Sequence, residues 1–325
     1  MRARPNDNRT PARPLAFEPI YVAKPWGGNR LASVLGRKLP PGGPYGESWE
    51  VSGYPGRVSR LAGGDSLADL ALRDPEGLLG RPAAPGEPFP LLFKFIDAQE
   101  ALSVQVHPAE TTGGQVSPKQ EAWLVLASDP GAILYIGLTK TVSPDELRSR
   151  ALDGTIPDIL RQVPAVPGAF HHVAAGTIHA IGGGVLLAEI QQVSDTTYRL
   201  YDWGRVDSSG RPRDLHIEEA LDAASLVAWG HAPFGMRTSR TLVRTSLLPR
   251  SKFTVETLSF HASHSFAYPT RGRFEILVVL DGHGRLLSPE GDEDLSPGRT
   301  LLLPASIEHV SVACDEELFL LRFTE

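Results

Sequence analysis

The sequence predicts a mainly β chain made of two related β units, with a small helical insert in the first. Three observations carry this expectation. Gly (32) and Pro (28) make up about 18% of the 325 residues, against roughly 12% in ordinary usage, which suits many turns between short strands. The apolar runs are of strand length and are bounded by Gly, Pro, Asp or Ser. One pattern of residues also occurs twice along the chain.

Taken in order, residues 1–16 read as a solvated tail: the start MRARPNDNRTPARP carries four Arg and no apolar stretch, so it is no secretory signal. From Phe17 to Gly64 the text is rich in turns, as in Lys24-Pro25-Trp26-Gly27-Gly28, although Glu47–Ser52 alternates like a strand. Residues 66–80 predict a short helix capped by Ser66 and stopped near Pro75. Strands are expected at Pro90–Ile96, Ala101–Val106, Glu121–Leu126 and Ala132–Ile136. Residues 143–162 break the pattern. Ser143 with Glu146 forms a capping-box signature, Pro144 sits at the first helical position, and apolar residues recur at helical spacing. A helical insert at about 140–163 follows. Strands resume at Ala169–Val173 and Val185–Gln191, a helix capped by Asp214 is expected over 214–228, and strands and turns alone over 240–325.

The repeat aligns Glu121–Leu126 with Glu275–Leu280, and Gln105-Val106-His107-Pro108 with Phe266-Ala267-Tyr268-Pro269. A Pro-Gly pair stands twelve residues before His179 and again twelve before His309. The two half-motifs lie 46 residues apart in the first copy and 22 in the second, a difference about the size of the insert. On this reading the first unit carries Gln, His, Glu and His at the special positions. The second carries Phe, Tyr, Glu and His.

With 32 basic and 38 acidic side chains the net charge is −6, which argues against a nucleic-acid or anionic-membrane partner. Cys314 is the only cysteine, so no internal disulfide exists and a reducing compartment suits the chain. No apolar run is long enough to span a membrane. The expected location is the cytoplasm.

Gln105 and His107 are two apart on an expected strand and so share a face. Glu121 opens the next strand, and His179 follows a Gly-Thr-Ile turn. Two His and one carboxylate leave open positions on a divalent ion, as a catalytic site requires, and Gln105 adds a neutral oxygen. The glycine-rich stretches lack the spacing of a phosphate loop or a dinucleotide fingerprint and read as turns.

Six stretches then carry a resemblance: Gly46–Ser52, Phe89–Asp97, Leu102–Pro108, Lys119–Glu121, Gly176–Gly182 and Glu189–Asp202. In this order they resemble the type I mannose-6-phosphate isomerases, most closely the short bacterial form. The likeness extends over residues 17–325, with its specific motifs between 46 and 205. It implies two cupin-type (jelly-roll) β-barrels, a catalytic one over 17–230 and a second over 231–325 without a metal site. It implies interconversion of mannose 6-phosphate and fructose 6-phosphate, one zinc ion held by Gln105, His107, Glu121 and His179, a catalytic Arg199, and a monomer. Ala174-Ala175 and His171-His172 depart from the usual residues there.

Such an isomerisation moves a proton between C2 and C1 through an enediol(ate), and charge develops on O1 and O2. Arg199 stays protonated, so its physical role is an electrostatic clamp. Lys119, two residues from Glu121, points toward the same site. Glu47, Lys119, Glu189 and a metal-bound hydroxide remain as proton carriers. Ser103, Lys94 and Arg205, with Glu47 and Glu189, are the expected substrate contacts. A sugar-phosphate sensor without turnover, an isomerase of a related hexose phosphate, and a three-ligand iron site for oxygen chemistry are the alternatives.

Overall fold

The computed structural model describes residues 9–109, 118–207, 209–228, 242–248, 252–261 and 265–325. The chain is mainly antiparallel sheet, as the sequence predicts. It begins with β1 (Ile20–Gly28), α1 (Arg30–Ser33), β2 (Tyr45–Ser52), α2 (Leu67–Arg73), α3 (Pro75–Leu79) and β3 (Leu91–Ala98). Next come β4 (Val104–Val106), β5 (Glu121–Ser128), β6 (Ile133–Leu138), α4 (Pro144–Asp153), a 3-10 turn (Ile156–Ile159) and β7 (Leu160–Pro164). β8 (Phe170–Val173), β9 (His179–Ile181), β10 (Val185–Gln192), β11 (Tyr198–Tyr201) and α5 (Ile217–Ala223) follow. The remainder holds β12 (Leu242–Leu248), β13 (Thr254–Phe260), β14 (Ser265–Pro269), β15 (Glu275–Asp281) and β16 (Gly284–Leu287), then β17 (Glu293–Leu295), β18 (Thr300–Leu303), β19 (His309–Ala313) and β20 (Leu318–Thr324).

The chain divides into two compact units. One comprises Tyr21–Ser48 and Phe93–Gly235; the other holds the described parts of Met1–Ile20, Trp49–Leu92 and Met236–Glu325. This differs from a simple split near residue 230, a position that itself lies outside the described residues. Trp49–Leu92 groups with the C-terminal barrel because its contacts are there. Phe89 packs against Phe274 with ring centroids 4.7 Å apart and planes tilted by 56°, and the carbonyls of Gly77 and Leu78 accept from Ser306 and Ala305. Residues 1–8 of the expected tail are outside the described set, but the chain is packed soon afterwards: Thr10 N–H donates to Asp74, and fully buried Leu15 exchanges backbone bonds with Leu302.

The first unit contains the sheet β1-β2-β3-β10-β5-β8 and the sheet β11-β4-β9-β6-β7. Trp123, Val125, Ile96, Leu134, Ile136 and Ile181, drawn from both sheets, pack between them. The second unit repeats the plan with β12-β13-β20-β15-β18 and β14-β19-β16-β17. β5 lies between β8 and β10 as β15 lies between β18 and β20, and β9 lies between β4 and β6 as β19 lies between β14 and β16. This is the expected double barrel. The insert falls between β6 and β7, where the second unit has only a short connection between β16 and β17.

Local signals placed the helices well. Ser66 caps α2 in a full capping box with Asp69, but Pro75 starts a second helix with Asp74 as its cap. Ser143 accepts from Glu146 N–H at the start of α4, while the Glu146 carboxylate pairs with Lys140 and Arg150. The expected Asp214 cap is wrong. α5 starts after His216, without a side-chain cap, and spans only Ile217–Ala223. Residues 24–28, read as a turn, lie in β1; their glycines answer to crowding, since a Cβ on Gly28 would come within 2.6 Å of Asp97 Oδ1.

Candidate metal centre and active-site cavity

The four expected ligands come from both sheets of the first unit: Gln105 and His107 on and just after β4, His179 on β9, and Glu121 on β5 of the facing sheet. Gln105 on β4 pairs directly with His179 on β9, so their side chains share a face. His107 ends the run that begins with Gln105, and Glu121 opens β5. His107, Glu121 and His179 are buried, and their ligand atoms lie within 4.8 Å of one another. His107 Nε2 is 3.0 Å from Glu121 Oε1, and His179 Nε2 is 3.6 Å from Glu121 Oε2. The Gln105 amide nitrogen is 3.3 Å from His179 Nε2, and a half-turn of the amide brings its oxygen to the same place.

These separations fit an ion. Two ligand atoms at the usual zinc distances, on a tetrahedral site, stand about 3.3 Å apart. The outer contacts fit as well. His107 Nδ1 donates to Thr196 O at 2.9 Å and His179 Nδ1 to Thr177 O at 2.8 Å, which leaves each Nε2 lone pair facing inward. Burial first, and then the Lys119 charge, pushes His107 down to about 4, so it stays neutral near pH 7. Burial likewise lowers His179. Burial works against ionisation of Glu121, yet Lys119 and then His107 hold its carboxyl well below the usual range. Neutral imidazoles and an ionised carboxylate are the ligand forms a divalent ion requires.

A cavity of about 280 Å³ opens on this cluster. Gln105 and Glu121 line it, and so do the expected Lys119, Arg199 and Ser103. Lys119 Nζ is 2.8 Å from Glu121 Oε1. Arg199, opposite Gln105 on β11, donates from Nη1 to Asp214 O and keeps its Nε buried without a hydrogen-bond partner. Burial and the neighbouring Arg213 lower its pKa. Glu47, Lys94 and Glu189 also face the cavity. Lys94 pairs with Glu189 at 2.8 Å, and Trp123 Nε1 donates to the other Glu189 oxygen at 2.9 Å. Burial and then the Glu121 charge raise Glu189, against the pull of Lys94. Glu47 pairs with Lys24 at 3.1 Å.

Arg205, expected to contact substrate, is absent from the cavity lining. Its Nη1 donates to Ala101 O, and its Nε and Nη2 to Asp202. Arg213, Lys24 and Asp195 line the cavity and were not singled out from sequence. Lys24 lies in a Pro- and Gly-rich stretch that has the composition of a turn, and Asp195 in a polar stretch with no chemical pattern of its own. His171 opposes Trp123 across β8 and β5 and is buried, whereas His172 opposes Ala122 and meets Gln120 at 3.4 Å.

A family model of the catalytic domain of phosphomannose isomerase type I matches residues 15–130. The chain is 34% identical over 304 residues to a mannose-6-phosphate isomerase of Streptococcus mutans, covering 91% of this chain and 94% of that protein. It is similar in structure to the mannose 6-phosphate isomerase of Bacillus subtilis, with a TM-score of 0.84 at 28% identity over 96% of this chain and 99% of that one. A mannose 6-phosphate isomerase bound with zinc and yttrium shares the fold, with a TM-score of 0.73 at 16% identity over 96% and 99% of the two chains.

Proposed function

The chain belongs to the type I mannose-6-phosphate isomerases, and from that membership we propose how its residues divide the interconversion of D-mannose 6-phosphate and D-fructose 6-phosphate. The observation that carries the reading is the buried convergence of His107, Glu121 and His179, each imidazole aimed by a backbone carbonyl. With Gln105 these residues would hold a divalent ion, zinc in our reading, which would supply Lewis acidity to the carbonyl of the open-chain sugar.

The remaining work falls to side chains. Lys119 stands 2.8 Å from Glu121 and donates to the substrate oxygen nearest the ligands. Arg199 offers its buried Nε to the enediolate oxygens and stabilises the charge that appears there, without itself giving up a proton. Glu189, its carboxyl raised by burial, takes the proton from C2 and returns it at C1. Ser103 and Glu47 orient hydroxyl groups along the cavity. Gln105, Glu121 and Arg199 line one cavity, which favours turnover over a sensor that only binds. All of these residues come from one unit of one chain, which supports a monomer; a cytoplasmic location is our reading from the family membership. No helix among the described residues is long and apolar enough to cross a membrane.

The test is a coupled isomerase assay with metal analysis. Stripping the ion is expected to abolish conversion, and zinc to restore it. His107→Ala or His179→Ala is expected to cost about a thousandfold or more and to lose bound zinc while the sheet signal in circular dichroism persists. Conversion that survives complete metal removal overturns the reading.

A further inference from the structure

The cations of the cavity fall into two groups. Its three lysines are each matched to a carboxylate: Lys24 with Glu47 at 3.1 Å, Lys94 with Glu189 at 2.8 Å and Lys119 with Glu121 at 2.8 Å. The arginines are not matched in this way. Arg205 and Arg213 share the single buried carboxylate of Asp202, and Arg199 stands close enough to feel Arg213 and Arg205 as repelling charges. The other nearby carboxylates, Asp195 and Asp214, are exposed and screened by solvent. Positive charge is therefore in surplus on the arginine side.

Within that side the hydrogen bonds single out one residue. Arg205 spends its Nε, Nη1 and Nη2 on Ala101 and Asp202 and does not reach the cavity. Arg213 does line it. Its Nε and Nη2 donate to Asp202 Oδ2 and Oδ1 at 2.7 and 2.5 Å, a side-on, two-point contact that fixes the plane of the guanidinium and leaves Nη1 available as a donor. Two further bonds hold the segment after it: His216 N–H donates to Arg199 O at 2.8 Å, and Arg199 N–H donates to His216 Nδ1 at 3.2 Å. Arg213 is thus a fixed cation with a free fork, in the same cavity as Gln105 and Glu121.

We infer that Arg213, seated by Asp202, receives the phosphate group of the substrate and makes the enzyme select phosphorylated over free hexose. Arg205 braces Asp202 and acts as a positioning residue. This inference rests on the isomerase reading above.

The experiment compares the zinc-loaded wild type with Arg213→Gln, Arg213→Lys and Asp202→Asn in the mannose 6-phosphate assay, with inorganic phosphate as competitive inhibitor. Arg213→Gln is expected to raise KM, and to weaken phosphate inhibition, by about 10- to 100-fold, with kcat and zinc content nearly unchanged. Arg213→Lys keeps the charge without the fork and is expected to recover part of both. Asp202→Asn leaves the fork unaimed and is expected to raise KM less than Arg213→Gln. An unchanged KM and phosphate inhibition constant in folded Arg213→Gln or Arg213→Lys overturns the inference, as does a loss confined to kcat. A wild type that holds zinc but converts no mannose 6-phosphate would instead refute the isomerase reading. Phosphate binding by calorimetry, strong in the wild type and weak in Arg213→Gln, would still support the anion site in that case.

Discussion

The two barrels keep the same strand order yet treat one buried carboxylate in opposite ways. In the first, Glu121 faces His107, His179 and Lys119. In the second, the matching Glu275 is fully buried and takes a hydrogen bond from Tyr268 Oη at 2.5 Å and an ion pair from Arg322, which also pairs with Glu256 at 2.6 Å. The strand register makes the comparison specific. Arg322 lies opposite Leu277 on β15, as Glu189 lies opposite Trp123 on β5. Where the first barrel has an acid next to a lysine, the second has an arginine next to an acid. The sequence alignment paired His309 with His179, but register does not. Phe266 is opposite Val312, as Gln105 is opposite His179, and His309 is exposed at the start of β19. Tyr268, Phe266 and Val312 thus stand where the first barrel has ligands. The lesson is that one architecture can balance a buried anion with a diffusible ion or with a tethered guanidinium.

If Arg322 is the second barrel's substitute for an ion, removing it should be costly. Arg322→Ala removes the cation that pairs with fully buried Glu275 and is expected to lower stability by about 3–5 kcal/mol, read by urea denaturation. The double variant Arg322→Met with Glu275→Met should recover most of that loss, and a double variant as unstable as the single one would break the comparison.

Acid should separate the barrels next. His107 is depressed to about 4 from an ordinary value near 6.5, so between those values the unfolded chain binds the extra proton and the folded chain does not. Its contribution is present above pH 6.5 and is lost as pH falls toward 4. Glu121, held low, adds a further loss below the ordinary carboxylate range. In metal-free protein the thermal midpoint is expected to drop steadily from pH 7 to 4.5, with hydrogen-exchange protection lost earlier on β5 and β9 than on β15 and β19. Equal loss in both would remove the distinction.

The smallest effects concern helix starts, one in each unit. Ser66→Ala and Ser143→Ala are each expected to cost about 1 kcal/mol. The first should cost more, since Ser66 works in a reciprocal box and Ser143 accepts a single bond. Differential scanning calorimetry would rank them.

Much of this was legible from sequence, for identifiable reasons. Gln105 and His107 show a shared face through their spacing, and Ser143-Pro144 marks a helix start by chemistry confined to one turn. Residue counting failed where long-range pairing decides. His309 keeps the twelve-residue interval but enters β19 three residues ahead of the position opposite Phe266. Trp49–Leu92 offered no local sign that Phe89 would seek Phe274. Arg213 reaches the cavity only because Asp202 and His216 fold its loop back on β11, while the nearer Arg205 is consumed by Ala101 and Asp202.

The contact between Lys119 and Glu121 has one more consequence. Because Lys119 Nζ lies 2.8 Å from one oxygen of that acid, the interior carboxylate of the first barrel has a basic partner supplied by its own chain only two residues away.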